Sequence, residues 1–189
     1  MTERIAEPSP RFKARLAGVF YLLNTVTSIV AFSGTGSHWL AAASGHLATA
    51  CYIAVTVLFY GLFKPVNRNI SLAAACVSLA GCANGSLSPL HLVPFHINSL
   101  AFFGCYCLLI GYLILRSAFL PRILGALMVI AGLGWMTFLS PPLAHYLSPY
   151  PYIAGGLGEI PLTLWLLAFG VNADRWKKQA GAAAASTRA

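Results

Sequence analysis

Charge is what this chain has least of. Asp, Glu, Lys and Arg together make up 8% of its 189 residues, where an ordinary soluble domain carries about 25%. So few charges cannot cover a water-facing surface. The hydrophobic share of 58% and mean hydropathy of +0.75 agree, and the class they indicate is a polytopic membrane protein. Acids are scarcer still: four, against twelve Lys and Arg. Glu3, Glu7 and Asp174 lie in polar flanks, whereas Glu159 sits inside the apolar run "GGLGEIPLTLW". The resulting net charge of +8 does not indicate a nucleic-acid partner. The basic residues stand in pairs at the ends of apolar runs and form no stripe or arm.

Other absences narrow the chemistry. The five cysteines, Cys51, Cys76, Cys82, Cys105 and Cys107, are odd in number and all fall in apolar runs, which argues against a disulfide framework. They read as small packing residues. Five histidines form no HExxH motif and no Cys/His pair with zinc spacing. His46, His96 and Glu159 would make a metal site only if their spans converged, so neither metal nor cofactor is expected. No stretch outside the apolar runs is long enough for a soluble catalytic domain.

What is present is a series of long apolar runs. A membrane-crossing helix needs about 20 apolar residues, and six runs qualify, approximately 15–33, 38–63, 70–90, 93–115, 121–140 and 151–171. Pro89 and Pro94 place a turn between the third and fourth. The first run is longer than a signal-peptide core, which favours retention over cleavage. In this six-span scheme every Lys and Arg falls on one side. Arg4, Arg11, Lys13 and Arg15 come before or open span one; Lys64 and Arg68 follow span two; Arg116 and Arg122 follow span four; Arg175, Lys177, Lys178 and Arg188 follow span six. The charge rule for membrane orientation puts that side, and both termini, in the cytoplasm. The expected organisation is a cytoplasmic segment 1–14, an all-α bundle over 15–173, and a flexible cytoplasmic tail 174–189. The loops at 34–37, 91–93 and 141–150 face outward, and the location is the cell membrane. Trp39, Phe95, Tyr146, Tyr150 and Tyr152 read as an outer aromatic belt, and Phe12, Phe63, Phe119 and Trp176 as an inner one.

Four stretches carry a resemblance: "RLAGVFYLL" from Arg15, "LFKPVNRNISLAAA" from Leu62, "LIGYLILRSAFLPRILGALMVIAGLGW" from Leu109 and "GEIPLTLWLLAFGV" from Gly158. In order and spacing the chain resembles, from about residue 12 to 172, the bacterial multi-pass membrane family catalogued as domain of unknown function 4386. The basic turn "RSAFLPRILG" is its most specific element. The resemblance implies an integral membrane bundle and brings no activity or catalytic residue with it.

An ionisable side chain in hydrocarbon costs at least about 2.5 kcal/mol, so Glu159 should face the bundle interior and find a partner. Gly155, Gly156 and Thr163 share its face, and Pro161 frees the carbonyl of Leu157. Depth suggests the partner. Glu159 lies about 10 Å below the outer end of span six, and His46 about 12 Å below that of span two. His46 also sits on a small-residue stripe. Asn24 and Asn84 fall near the same layer, with His96 and Asn98 just above it. The expected site is thus a polar cluster in the outer half, built on Glu159 and His46 with Asn24, Asn84, His96 and Asn98. It would hold a small or lipid-like ligand for sensing or transport. Two alternatives stand beside it: an enzyme using Glu159 and His46 as acid and base or as metal ligands, and a purely structural or partner-stabilising layer. Polar residues thin out below Asn24, which counts against a path through the membrane. Gly81 with Gly85, Gly104 with Gly111, and Gly125 with Gly132 mark tight helix seams. These close the bundle within the chain or, in the second reading, form a homodimer. Membrane lipids are the expected surroundings.

Overall fold

The computed structural model describes residues 9–33, 37–87 and 98–186, and among them every regular element is helical. Five long helices come first: α1 Pro10–Phe32, α2 His38–Phe63, α3 Arg68–Leu87, α4 Ser99–Arg116 and α5 Arg122–Met136. A 3-10 turn, Thr137–Leu139, and the short α6, Pro141–Tyr146, lead into α7, Tyr150–Ala168, and α8, Ala173–Ser186. Among the described residues five helices are long and apolar enough to cross a membrane, or six if α7 is counted together with α8 across a 103° bend.

The expected spans recur with shifted ends. α1 begins at Pro10 because the Ser9 side chain accepts a hydrogen bond from the Phe12 amide and proline suits the first turn. Long basic side chains then continue the helix past the apolar run. At the other end of the chain, α7 stops at Ala168, where Gly170 adopts φ +67° and its amide turns back to the Trp165 carbonyl at 3.1 Å. That left-handed position favours glycine. Pro161 lies inside α7 without ending it.

The six long helices close into a ring. Each of α1 to α4 packs on its successor, α5 packs on α7, and α7 returns to α1. Glycines set the closest approaches. A Cβ on Gly111 would stand 2.9 Å from the Gly125 carbonyl oxygen, and one on Gly125 would stand 2.8 Å from that of Gly111. Gly104 and Gly132 meet in the same way one helical stretch higher, at 3.1 and 2.9 Å. The seams named from sequence therefore close α4 on α5 within the chain, and Gly81 and Gly85 pack against α4.

Inside the ring the core is filled from the basic end to the middle by Phe59, Leu62, Phe63, Ile110, Leu113, Ile114, Met128, Leu162 and Leu166. Phe63 and Phe119 belong to this core, not to an inner belt, being 0% and 3% exposed. Trp39, Tyr146, Tyr150 and Tyr152 are exposed at the opposite end.

Of the tail expected over 174–189, residues 174–186 lie in the helix α8. Asn172 caps it by accepting from the Arg175 amide, Asp174 complements the helix dipole, and the alanines that follow are the strongest helix formers. α8 lies across the basic end and holds other helix ends together. The Trp176 indole donates to the Leu62 carbonyl at 2.8 Å, and Gln179 accepts from the Ala118 amide at 3.1 Å. Arg11 and Arg15 donate to the Phe169 and Ala168 carbonyls that end α7. The start of α1, the α2 and α4 ends and the end of α7 thus share one basic face.

Candidate functional site

Glu159 stands at the middle of α7. Its Oε1 accepts a 2.7 Å hydrogen bond from the Trp135 indole on α5, and Cys107 Sγ on α4 lies 4.0 Å from the same oxygen. Gly155 makes the first contact feasible. A Cβ there would collide with the Trp135 ring, so the indole reaches the carboxylate only by lying on bare backbone one turn away. The Thr163 hydroxyl donates to the Glu159 carbonyl at 2.8 Å, which keeps its own polar group satisfied within the helix.

Three tyrosines complete the layer. Tyr21 on α1 is fully buried, and its hydroxyl approaches the Glu159 carboxylate without closing a well-formed hydrogen bond. Its ring meets Tyr52 edge-on at 6.1 Å, and Tyr52 meets Tyr106 at 5.7 Å. The Tyr106 hydroxyl points toward Thr56 and is likewise buried without closing a well-formed hydrogen bond. Thr56 Oγ1 and Ser78 Oγ are 2.6 Å apart, and Thr56 also donates to the Tyr52 carbonyl. Ser78 must then be the donor to Thr56, since one hydroxyl carries one proton. Each of these tyrosines lies about ten residues, or about 15 Å, from the basic end of its helix. A polar and aromatic layer therefore crosses the ring at mid-depth.

Above this layer, away from the basic face, the inward stripes carry small or polar groups. On α1 the buried stripe of Ala14, Ala17 and Tyr21 continues into half-buried Asn24, Thr25 and Ser28. α2 contributes Ser44 and Ala48, α3 Gly81 and Asn84, and α7 Gly155 and Gly158, all buried. Toward the rim, Trp135 packs on Tyr152 and Phe138 at 5.8 and 6.0 Å. Those two residues line a surface hollow of about 280 Å³ with Asn98 and His145. Trp135 thus touches Glu159 on one side and the wall of this hollow on the other.

The sequence-derived cluster is only partly assembled. Asn24 lies on the inward stripe near Tyr21. Asn84 is buried and donates to Ser99 at 3.0 Å, which ties α3 to α4. Asn98 caps α4 through the Leu100 amide and sits at the rim. His96, like His91, lies outside the described residues. His46 requires a correction: it is exposed on α2, and the carboxylate's neighbours are Trp135, Cys107 and Tyr21 in its place. The inward face of α2 runs through Ser44, Ala48, Cys51, Tyr52 and Val55, and His46 is about 200° around the helix from Ser44. Matched depth did not mean matched direction. Among the described residues no group of three or more His, Cys, Asp or Glu is placed to hold a metal ion.

Comparison with known proteins fixes the family. The family described as a domain of unknown function, DUF4386, matches residues 85–170, which span α4, α5 and all of α7. An uncharacterised protein of Archaeoglobus fulgidus is 32% identical over 127 residues, covering 62% of this chain and 76% of that protein. The chain belongs to the DUF4386 family. No solved structure matches it. The matched segment carries Trp135, Cys107 and Glu159, whereas the Tyr21 and Tyr52 helices precede it.

Proposed function

We propose that this DUF4386 protein binds a small or lipid-like ligand in the ring, between the Glu159 layer and the end opposite the basic face. That basic face and both termini are cytoplasmic, and the membrane is the cell membrane. The orientation rests on the excess of Lys and Arg at one end. The observation that carries the binding reading is a pair of completely buried hydroxyls, Tyr21 facing Glu159 and Tyr106 facing Thr56, neither of which closes a well-formed hydrogen bond, beside an intramembrane carboxylate. Buried polar groups are nearly always paired, and an intramembrane acid is a functional candidate by default. The half-buried Asn24, Thr25 and Ser28 stripe leads to this layer, and the hollow at Trp135 flanks it. The layer offers O–H and N–H donors around one carboxylate, which suits a ligand with both acceptor and donor groups. The filled core below argues for sensing or storage over passage through the membrane.

The test is mass spectrometry of small molecules that co-purify in mild detergent with wild type, Glu159→Gln and Tyr106→Phe. A bound compound should be retained by wild type and fall about tenfold in Tyr106→Phe, the loss of roughly one hydrogen bond to a ligand. A purely structural layer behaves differently: removing a buried hydroxyl that closes no well-formed hydrogen bond leaves stability nearly unchanged or raises it, and the co-purifying compounds stay the same. Identical profiles in all three proteins would overturn the binding reading.

A further inference from the structure

Independently of Glu159, the basic face carries a second feature. The bend from α7 into α8 opens a groove of about 540 Å³ between the start of α1, the α4–α5 turn and the start of α8. Its floor is apolar: the Trp165 and Phe169 rings stack at 4.6 Å, with Phe119 and Leu120 beside them. Its rim carries Arg11, Arg175 and Asp174. Arg11 Nε donates to the Phe169 carbonyl at 3.3 Å and Arg175 Nη1 to the Ala118 carbonyl at 3.5 Å. Each guanidinium has five N–H donors, so each is positioned by one bond and keeps others for an occupant. The rim therefore holds two fixed cations and one anion.

We propose that this groove seats the phosphodiester of a membrane phospholipid, with the acyl chains lying against Trp165 and Phe169 along α7. Three features select that occupant. The groove lies where the apolar helices end and the basic face begins, which is the depth of lipid phosphates in a bilayer. An apolar floor directly under a cationic rim fits an amphiphile and leaves a free anion poorly matched. The net rim charge of +1 balances the single negative charge of a phosphodiester, and Asp174 disfavours more highly charged groups. Arginine is suited to phosphate because its planar donors bind in pairs.

The experiment uses the full chain, purified in mild detergent and given phosphatidylglycerol, with retained lipid read by native mass spectrometry. Arg11→Gln/Arg175→Gln should lower retention about tenfold. Lys177→Gln/Lys178→Gln removes the same formal charge from exposed positions of α8 outside the groove and should leave retention near wild type. Asp174→Asn should raise retention several-fold while leaving the Arg11 and Arg175 anchors in place. Inorganic phosphate at the lipid's concentration should not compete. Equal losses in the two double variants would show a diffuse basic surface and overturn the site, as would displacement by phosphate or unchanged retention in Asp174→Asn.

Discussion

Gly155 has no side chain because the Trp135 ring occupies that space, and Trp135 lies there because its indole N–H serves the Glu159 carboxylate. The three residues form one device, and their energies should couple. Gly155→Ala is expected to cost about 1–3 kcal/mol by overpacking. In a Trp135→Leu background the same change should cost little, because the obstructing ring is gone. Unfolding in a titration with sodium dodecyl sulfate gives all four corners of the cycle, and strictly additive costs would refute the coupling. At this scale the sequence was legible where composition is extreme. Glu159 stood out as the lone acid in an apolar run, and its inward direction followed from Gly155 and Thr163. Trp135, Cys107, Tyr21, Tyr52 and Tyr106 did not stand out, because aromatic and sulfur side chains belong to any apolar span. What distinguishes these five is a shared depth together with a shared inward direction. His46 had the depth alone, and polarity at the right level cannot report the rotation of a helix about its axis.

Seams between helices decide the element scale. At Gly111 and Gly125 the α4–α5 contact sets the carbonyl of each glycine against the other, with the Val129 and Leu115 side chains beside them, so moving side chains alone cannot make room. Gly111→Leu should therefore destabilise by about 3 kcal/mol or more, at the upper end of overpacking costs. Gly61→Leu, on α2 with nothing within 4 Å of an added Cβ, should be close to neutral. Comparing the detergent-resistant folded fraction of the two variants checks this, and equal losses would mean that the seam is softer than its geometry indicates. Glycines seven apart are readable in the sequence, since only close helix contact explains such a spacing on two consecutive spans. The helix at 173–186 is not. Its anchors, Trp176 and Gln179, bond to groups at the ends of other elements, and neither hydropathy nor periodicity records those. An alanine-rich stretch then looks like a frayed end, although alanine is the best helix former once a cap and two anchors hold it.

At the scale of the molecule, closure of α7 onto α1 turns a row of helices into a ring, and the ring has unlike halves. The cytoplasm-directed half of our orientation is packed with large apolar side chains and clamped by α8. The other half carries small and polar groups on its inward stripes and ends at the layer of three tyrosines and Glu159. A ligand reaching that layer would therefore come from the outer side or from the bilayer, and orientation decides which compartment the site samples. The positive charges argue that the rim at Asn98 is external and the turn at Lys64 internal. In a variant lacking the five native cysteines, Asn98→Cys should react in intact cells with a maleimide that cannot cross membranes. Lys64→Cys should react only after the cells are opened. Both positions are exposed, so access alone decides the outcome. The reverse pattern would turn the site toward the cytoplasm and recast it as a sensor of an internal compound. Labelling of both positions in intact cells would mean that the two ends of α4 and α2 share a compartment, which an alternating six-helix ring does not permit.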